Sequence, residues 1–180
     1  MRMTNLSDFS DDELGQILDA PGAVLKGATL ADGRPGAIRF IRETATGAKV
    51  FREAQQHEND FIQSVALALR DRIKDEEEAA EASPAAKVGT PEGVAVPEDP
   101  RPDPERDTAK AVELTAASIA VLRERADQED LAAYGDWLLR IATEVVKATK
   151  SKEGGFFSKR LAVSEGEQDY LDRLTAAIGR

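Results

Sequence analysis

The chain has 180 residues, of which 32% are charged and 5% aromatic, and acidic residues outnumber basic ones 34 to 24 for a net charge of −10. That length suits one domain or two small halves sharing a core, and the acidic balance offers no basic footprint for nucleic acid. Without a cysteine, disulfides, thiolate catalysis and Cys-ligated metal centres are excluded; no apolar run reaches a membrane span, so a cytoplasmic protein without a transmembrane segment is expected.

Ala, Leu, Val and Ile dominate the apolar set, and no alternating runs bounded by turns are present. The prediction is an all-α fold, a bundle of about six helices. Ser10-Asp11-Asp12-Glu13 reads as a capping box opening the first, with Leu14, Ile17 and Leu18 at helical spacing. Pro21 is expected to end or kink it, leaving Val24, Leu25 and Ala28 to carry a second face as far as Asp32-Gly33. Pro35 suits a first helical turn, and Ile38, Ile41, Ala45, Ala48 and Phe51 make the next stripe. Asn59-Asp60 restarts the chain, after which Phe61, Val65, Leu69 and Ile73 recur every four residues on one face.

Six of the eight prolines then fall between Ser83 and Asp107, and no helix runs through such spacing. Residues 83–107 are therefore expected to be a disordered acidic linker between a helical half at 8–82 and another at 108–180, sharing one core. Asp107 is a good N-cap for a helix carrying Val112, Ile119 and Leu122. Leu131, Tyr134, Leu138, Ile141 and Val145 mark a strongly amphipathic helix with Trp137 beside the stripe. Ser164-Glu165-Gly166-Glu167 is a second capping box, followed by Leu171, Leu174 and Ile178.

Residues 17–33 align without gaps over 138–154, setting Val24 on Val145, Lys26 on Lys147, and Asp32-Gly33 on Glu153-Gly154. Two pseudo-symmetric halves are one reading of this, and the apolar spacing that any two helices share is the other. A helix ending in acid–glycine, a loop, and a helix opening with Ser-x-x-Glu resembles the TerB-like family of tellurite-resistance and stress proteins, or a related set of uncharacterised bacterial helical proteins, mainly over residues 131–180. The resemblance implies an all-helical fold and a divalent-cation site. Here Glu153 stands where the family pattern has Asp, the loop is longer, and Asp32-Gly33 lacks a following Ser-x-x-Glu.

Glu153, Glu165 and Glu167, with Asp32 as a pseudo-equivalent, would supply hard oxygen ligands suited to Ca2+ or Mg2+. The same residues also fit plain helix-end roles, Gly33 and Gly154 as C-terminal glycines and Glu167 as a capping partner. In Lys152 to Arg160, "KEGGFFSKR", Phe156 and Phe157 either fold over the bundle end or form an exposed tip with Lys159 and Arg160 for an acidic partner or an anionic lipid surface. His57 is the sole histidine and has only polar neighbours, as at an exposed helix end. No nucleophile elbow or phosphate loop is present, so the protein is not expected to be an enzyme. The expectation is a non-catalytic interaction or accessory protein of a bacterial stress-related system, with protein partners or a homodimer. The alternative is a TerB-like cation sensor.

Overall fold

Ser10 opens the first helix as its spacing predicts: its hydroxyl accepts from the Glu13 amide, and the Glu13 carboxylate accepts the Ser10 N–H at 2.8 Å. That N–H bond, with the Ser10 hydroxyl and the Arg125 guanidinium nearby, holds the Glu13 carboxyl below the usual carboxylate range against the opposing effect of burial. A computed structural model describes residues 4–33, 37–82, 102–150 and 163–180. A 3-10 turn at Leu6–Asp8 precedes α1 (Asp11–Leu30), α2 (Ala37–Ala54), α3 (Asp60–Ala82), α4 (Pro104–Arg125), α5 (Gln128–Lys150) and α6 (Glu165–Ile178). The all-α expectation is met, with no strand among the described residues.

α1 and α5 occupy the centre, each touching the other five helices. α1 packs most extensively on α4, α2 lies on α5, and α6 rests on α4 and α5. One apolar cluster unites them, including Ile17 and Val24 of α1, Ile62 and Val65 of α3, Ile119 and Leu122 of α4, Leu138 and Ile141 of α5, and Leu174 of α6. An aromatic chain crosses this core from Phe9 through Phe61, Tyr134 and Trp137 to Phe51, with ring centroids 5.7 to 6.3 Å apart. Such pairs stabilise beyond the area they bury.

Pro21 does not end α1, which runs unbroken from Asp11 to Leu30. In a helix the Ile17 carbonyl would accept the N–H of residue 21, and proline has none. The hydroxyl of Tyr134, on α5 and fully buried, donates to that carbonyl at 2.7 Å. The neighbouring helix thus supplies the bond that proline withholds. Tyr170 of α6 donates likewise to the Val24 carbonyl at 3.0 Å, about two turns further on. Burial pushes both phenols well above their ordinary range, Ser118 pulling against it at Tyr134 and Arg173 at Tyr170, so they remain neutral donors.

Two further expectations change. The fourth helix starts at Pro104 with Asp103 as its N-cap, not at Asp107. Asp103 accepts the Arg106 amide at 2.8 Å, and Pro104 fits the first turn, where an amide would go unbonded in any case. Asp107, only 8% exposed, accepts the Asp103 N–H at 3.1 Å and sits 3.2 Å from Lys26 on α1. Burial pushes its carboxyl up, but the Asp103 amide, Arg106 and Lys26 outweigh that and hold it below the ordinary value. It ties the start of α4 to α1.

The apolar face of α3 also stops early. Phe61, Val65 and Leu69 are buried, whereas Ile73 is 53% exposed. The four-residue period continues past the point where other helices cover it. From Arg70 to Ala79 the helix presents exposed side chains wherever they are described, with Arg72 reaching back to Asp19 of α1 at 2.7 Å.

Candidate functional site

The sequence-predicted residues fall in two places. Glu153, Phe156, Phe157, Lys159 and Arg160 lie outside the described residues. The other three gather where α1 ends and α6 begins. Gly33 takes a left-handed φ of 92° just after α1, the conformation that favours glycine at a helix end. A Cβ on Gly166 would overlap the Ala31 carbonyl oxygen, so the first turn of α6 sits directly against the exit of α1. Opposite helix ends therefore meet, the positive start of one beside the negative end of the other.

At this junction Asp32 and Glu165 are exposed, while Glu167 is 1% exposed. Glu167 accepts the Ser164 N–H at 2.9 Å, and its own amide donates to the Ser164 hydroxyl at 3.2 Å, completing the predicted capping box. One oxygen of Glu167 is thus engaged in holding the helix start. Among the described residues no group of three or more His, Cys, Asp or Glu side chains is placed to hold a metal ion.

A second locality is not legible from spacing. The turn between α2 and α3 faces one side of α5, and the two enclose a groove of about 320 Å³ lined by His57, Glu58, Asn59, Glu129, Ala133, Asp136, Trp137 and Arg140. Helical periodicity puts the α5 members on one face, at intervals of three and four residues. Asn59 fixes the opposite wall: its Oδ1 accepts the Ile62 amide at 3.0 Å as the cap of α3, and its Nδ2 donates to Asp130 at 2.8 Å on the first turn of α5. The other Asp130 oxygen accepts the Thr4 N–H at 3.3 Å, and Thr4 Oγ1 accepts the Asp127 N–H at 3.1 Å.

His57 is half-buried, and its Nδ1 accepts the Asn59 amide at 3.0 Å. The expected solvated histidine is instead part of the turn, and in the neutral ring this bond puts the proton on Nε2. Charges on the α5 side are partly matched. Arg140 pairs with Glu53 of α2, and Asp136 with Arg180 beyond α6, whose guanidinium holds the Asp136 carboxyl below the carboxylate range. Glu58 and Glu129 make no hydrogen bond or ion pair among the described residues. Trp137, 3% exposed, has an indole N–H that is buried without an acceptor.

Among the residues lining this groove no nucleophile sits beside a base, and the groups it presents are charges and hydrogen-bonding side chains. The lone histidine and lone tryptophan of the chain both line it, the one compositional hint the sequence holds. No family model, curated protein or solved structure matches this chain.

Proposed function

We propose that this is a non-catalytic helical protein that acts through contacts with other proteins, within a bacterial stress-related or accessory system. The observation that carries the reading is the reach of α3 beyond the bundle. Its outer half keeps an exposed isoleucine, Ile73, on a charged helix that buries little against its own chain. The buried carboxylates Asp107 and Glu167 support the same reading, because both are engaged in capping helices. Cross-linking mass spectrometry with the chain as bait tests it. Cross-links to partner lysines or to a second copy are expected at Lys74, the lysine beside Ile73. Ile73→Ser should weaken that capture while changing stability by no more than about 0.5 kcal/mol, as is usual for an exposed site. A protein that stays monomeric and yields no cross-links on α3 counts against the reading.

The alternative, a TerB-like divalent-cation sensor, draws on the junction that sets Asp32 beside the start of α6 with Glu165 and Glu167. Thermal unfolding in EDTA, Ca2+ and Mg2+ at matched ionic strength separates the two. A saturable rise in melting temperature supports the sensor; a flat response at millimolar cation removes it.

A further inference from the structure

We infer that His57 is a pH-operated latch on the α2–α3 turn: neutral, it holds the start of α3, and protonated, it lets go and turns to the carboxylates of the groove. The direction of one hydrogen bond carries this. The Asn59 amide donates to His57 Nδ1 at 3.0 Å, a bond that only an unprotonated ring nitrogen accepts. Protonation places a hydrogen on both ring nitrogens. Two N–H groups would then face each other across that distance, and the ring has to move.

The effect spreads from Asn59, whose polar groups are all engaged. Its N–H goes to His57, its Oδ1 accepts the Ile62 amide, its carbonyl accepts the Gln63 N–H at 3.1 Å, and its Nδ2 donates to Asp130. One residue is thus both the cap of α3 and its tie to α5, and the histidine bonds its backbone. Asp130 in turn accepts the Thr4 N–H, which adds the N-terminal segment to the same series of bonds.

Charges around the groove set where a protonated ring goes. Glu58 follows His57 on the turn, and Glu129, Asp136 and Arg140 line the same groove from α5. Arg140 is paired with Glu53 of α2 and Asp136 with Arg180, which leaves Glu58 and Glu129 without an ion pair among the described residues. Asp60, in the first turn of α3, is exposed. An imidazolium therefore meets net negative charge. The bond lost and the ion pairs gained are each modest, so the ring changes partners with the fold intact. Histidine is the side chain whose charge ordinarily changes between pH 5 and 8, and this chain has a single one.

The test is NMR on the uniformly 15N-labelled full chain, stepped from about pH 8 to 5.5. The Asn59 and Ile62 amides are expected to shift along one curve with the His57 ring protons. Hydrogen exchange at the Asn59 amide, corrected for its intrinsic rate, should speed up about tenfold as the acceptor leaves. His57→Asn keeps an oxygen able to accept the amide two residues on but takes up no proton, so Asn59 should hold its high-pH position throughout. His57→Ala has no acceptor and should hold Asn59 in its acid position at every pH. Glu58→Gln with Glu129→Gln removes the carboxylates that receive the charged ring, so acid should lower the urea midpoint of this variant more than that of the wild type.

The proposal is overturned if Asn59 does not shift in the wild type, if it shifts equally in His57→Asn, or if His57 titrates while Asn59 keeps its protection from exchange. Equal losses of urea midpoint in the wild type and the carboxylate variant overturn it as well. None of these readouts involves a partner protein, so the latch and the interaction reading stand or fall separately.

Discussion

Tyr134→Phe is expected to lower the free energy of unfolding by about 1–3 kcal/mol, measured by urea titration, because it leaves a buried acceptor without a donor. The loss comes from one hydroxyl and so separates hydrogen bonding from packing. Its cause lies across the interface at Pro21, which cannot donate to the Ile17 carbonyl that Tyr134 bonds at 2.7 Å. A Pro21→Ala background restores an amide to that position, and Tyr134→Phe should then cost less than half as much. Coupling of this size is expected only for residues that share a partner. Equal losses in both backgrounds would show that the phenol serves α1 in some way unrelated to the proline.

Gly27→Ala should destabilise the protein by about 2–4 kcal/mol, although alanine is the better helix former. The propensity gain is about 1 kcal/mol. Against it, the new methyl would lie 2.5 Å from the Tyr170 hydroxyl, 2.8 Å from its Cζ and 3.1 Å from the Ala111 Cβ. Overpacking of that kind costs about 1–3 kcal/mol, and displacing the ring breaks its bond to the Val24 carbonyl for about as much again. Gly15 and Gly22, on the same helix, have nothing within 4 Å of the built Cβ. Alanine at either should stabilise by about 0.5–1 kcal/mol. Opposite signs within one helix in the same denaturation experiment would tie the effect to the contact. Tyr170→Phe should rescue Gly27→Ala only in part, because the Cζ overlap persists without the oxygen.

What can be seen in the sequence is what short stretches of chain decide. The capping boxes at Ser10 and Ser164 close within four residues, and both form as their spacing predicts. Helix boundaries that depend on distant groups escape such reading. The continuity of α1 through Pro21 rests on a hydroxyl 117 residues away, which no local pattern announces. Ile73 keeps the period of its helix but not its cover, since periodicity says which face is apolar and nothing about where the neighbours end. Asp103 and Asp107 are both credible caps, and Pro104 is the signal that favours the earlier one. The groove stays hidden because its walls come from residues 57–59 and 129–140, whose pairing is a property of tertiary packing. Of the junction residues, Glu167 takes the capping role its spacing predicts, whereas its near-complete burial has no local signature.

The central place of α1 also sets an order of assembly. Its two outside hydroxyl bonds span 117 and 146 residues of sequence. At about 5–20 residues per second, a ribosome needs roughly 6 to 30 s after making those α1 residues before their partners exist. Ile17, Val24 and Ala28 wait for α4 until residue 125 is made and for α6 until residue 178, and the Ile17 carbonyl lacks its donor until Tyr134 exists. Of the described helices α1 is therefore the first made and among the last to be completed, its apolar stripe waiting for partners while the chain between it and α6 is synthesised.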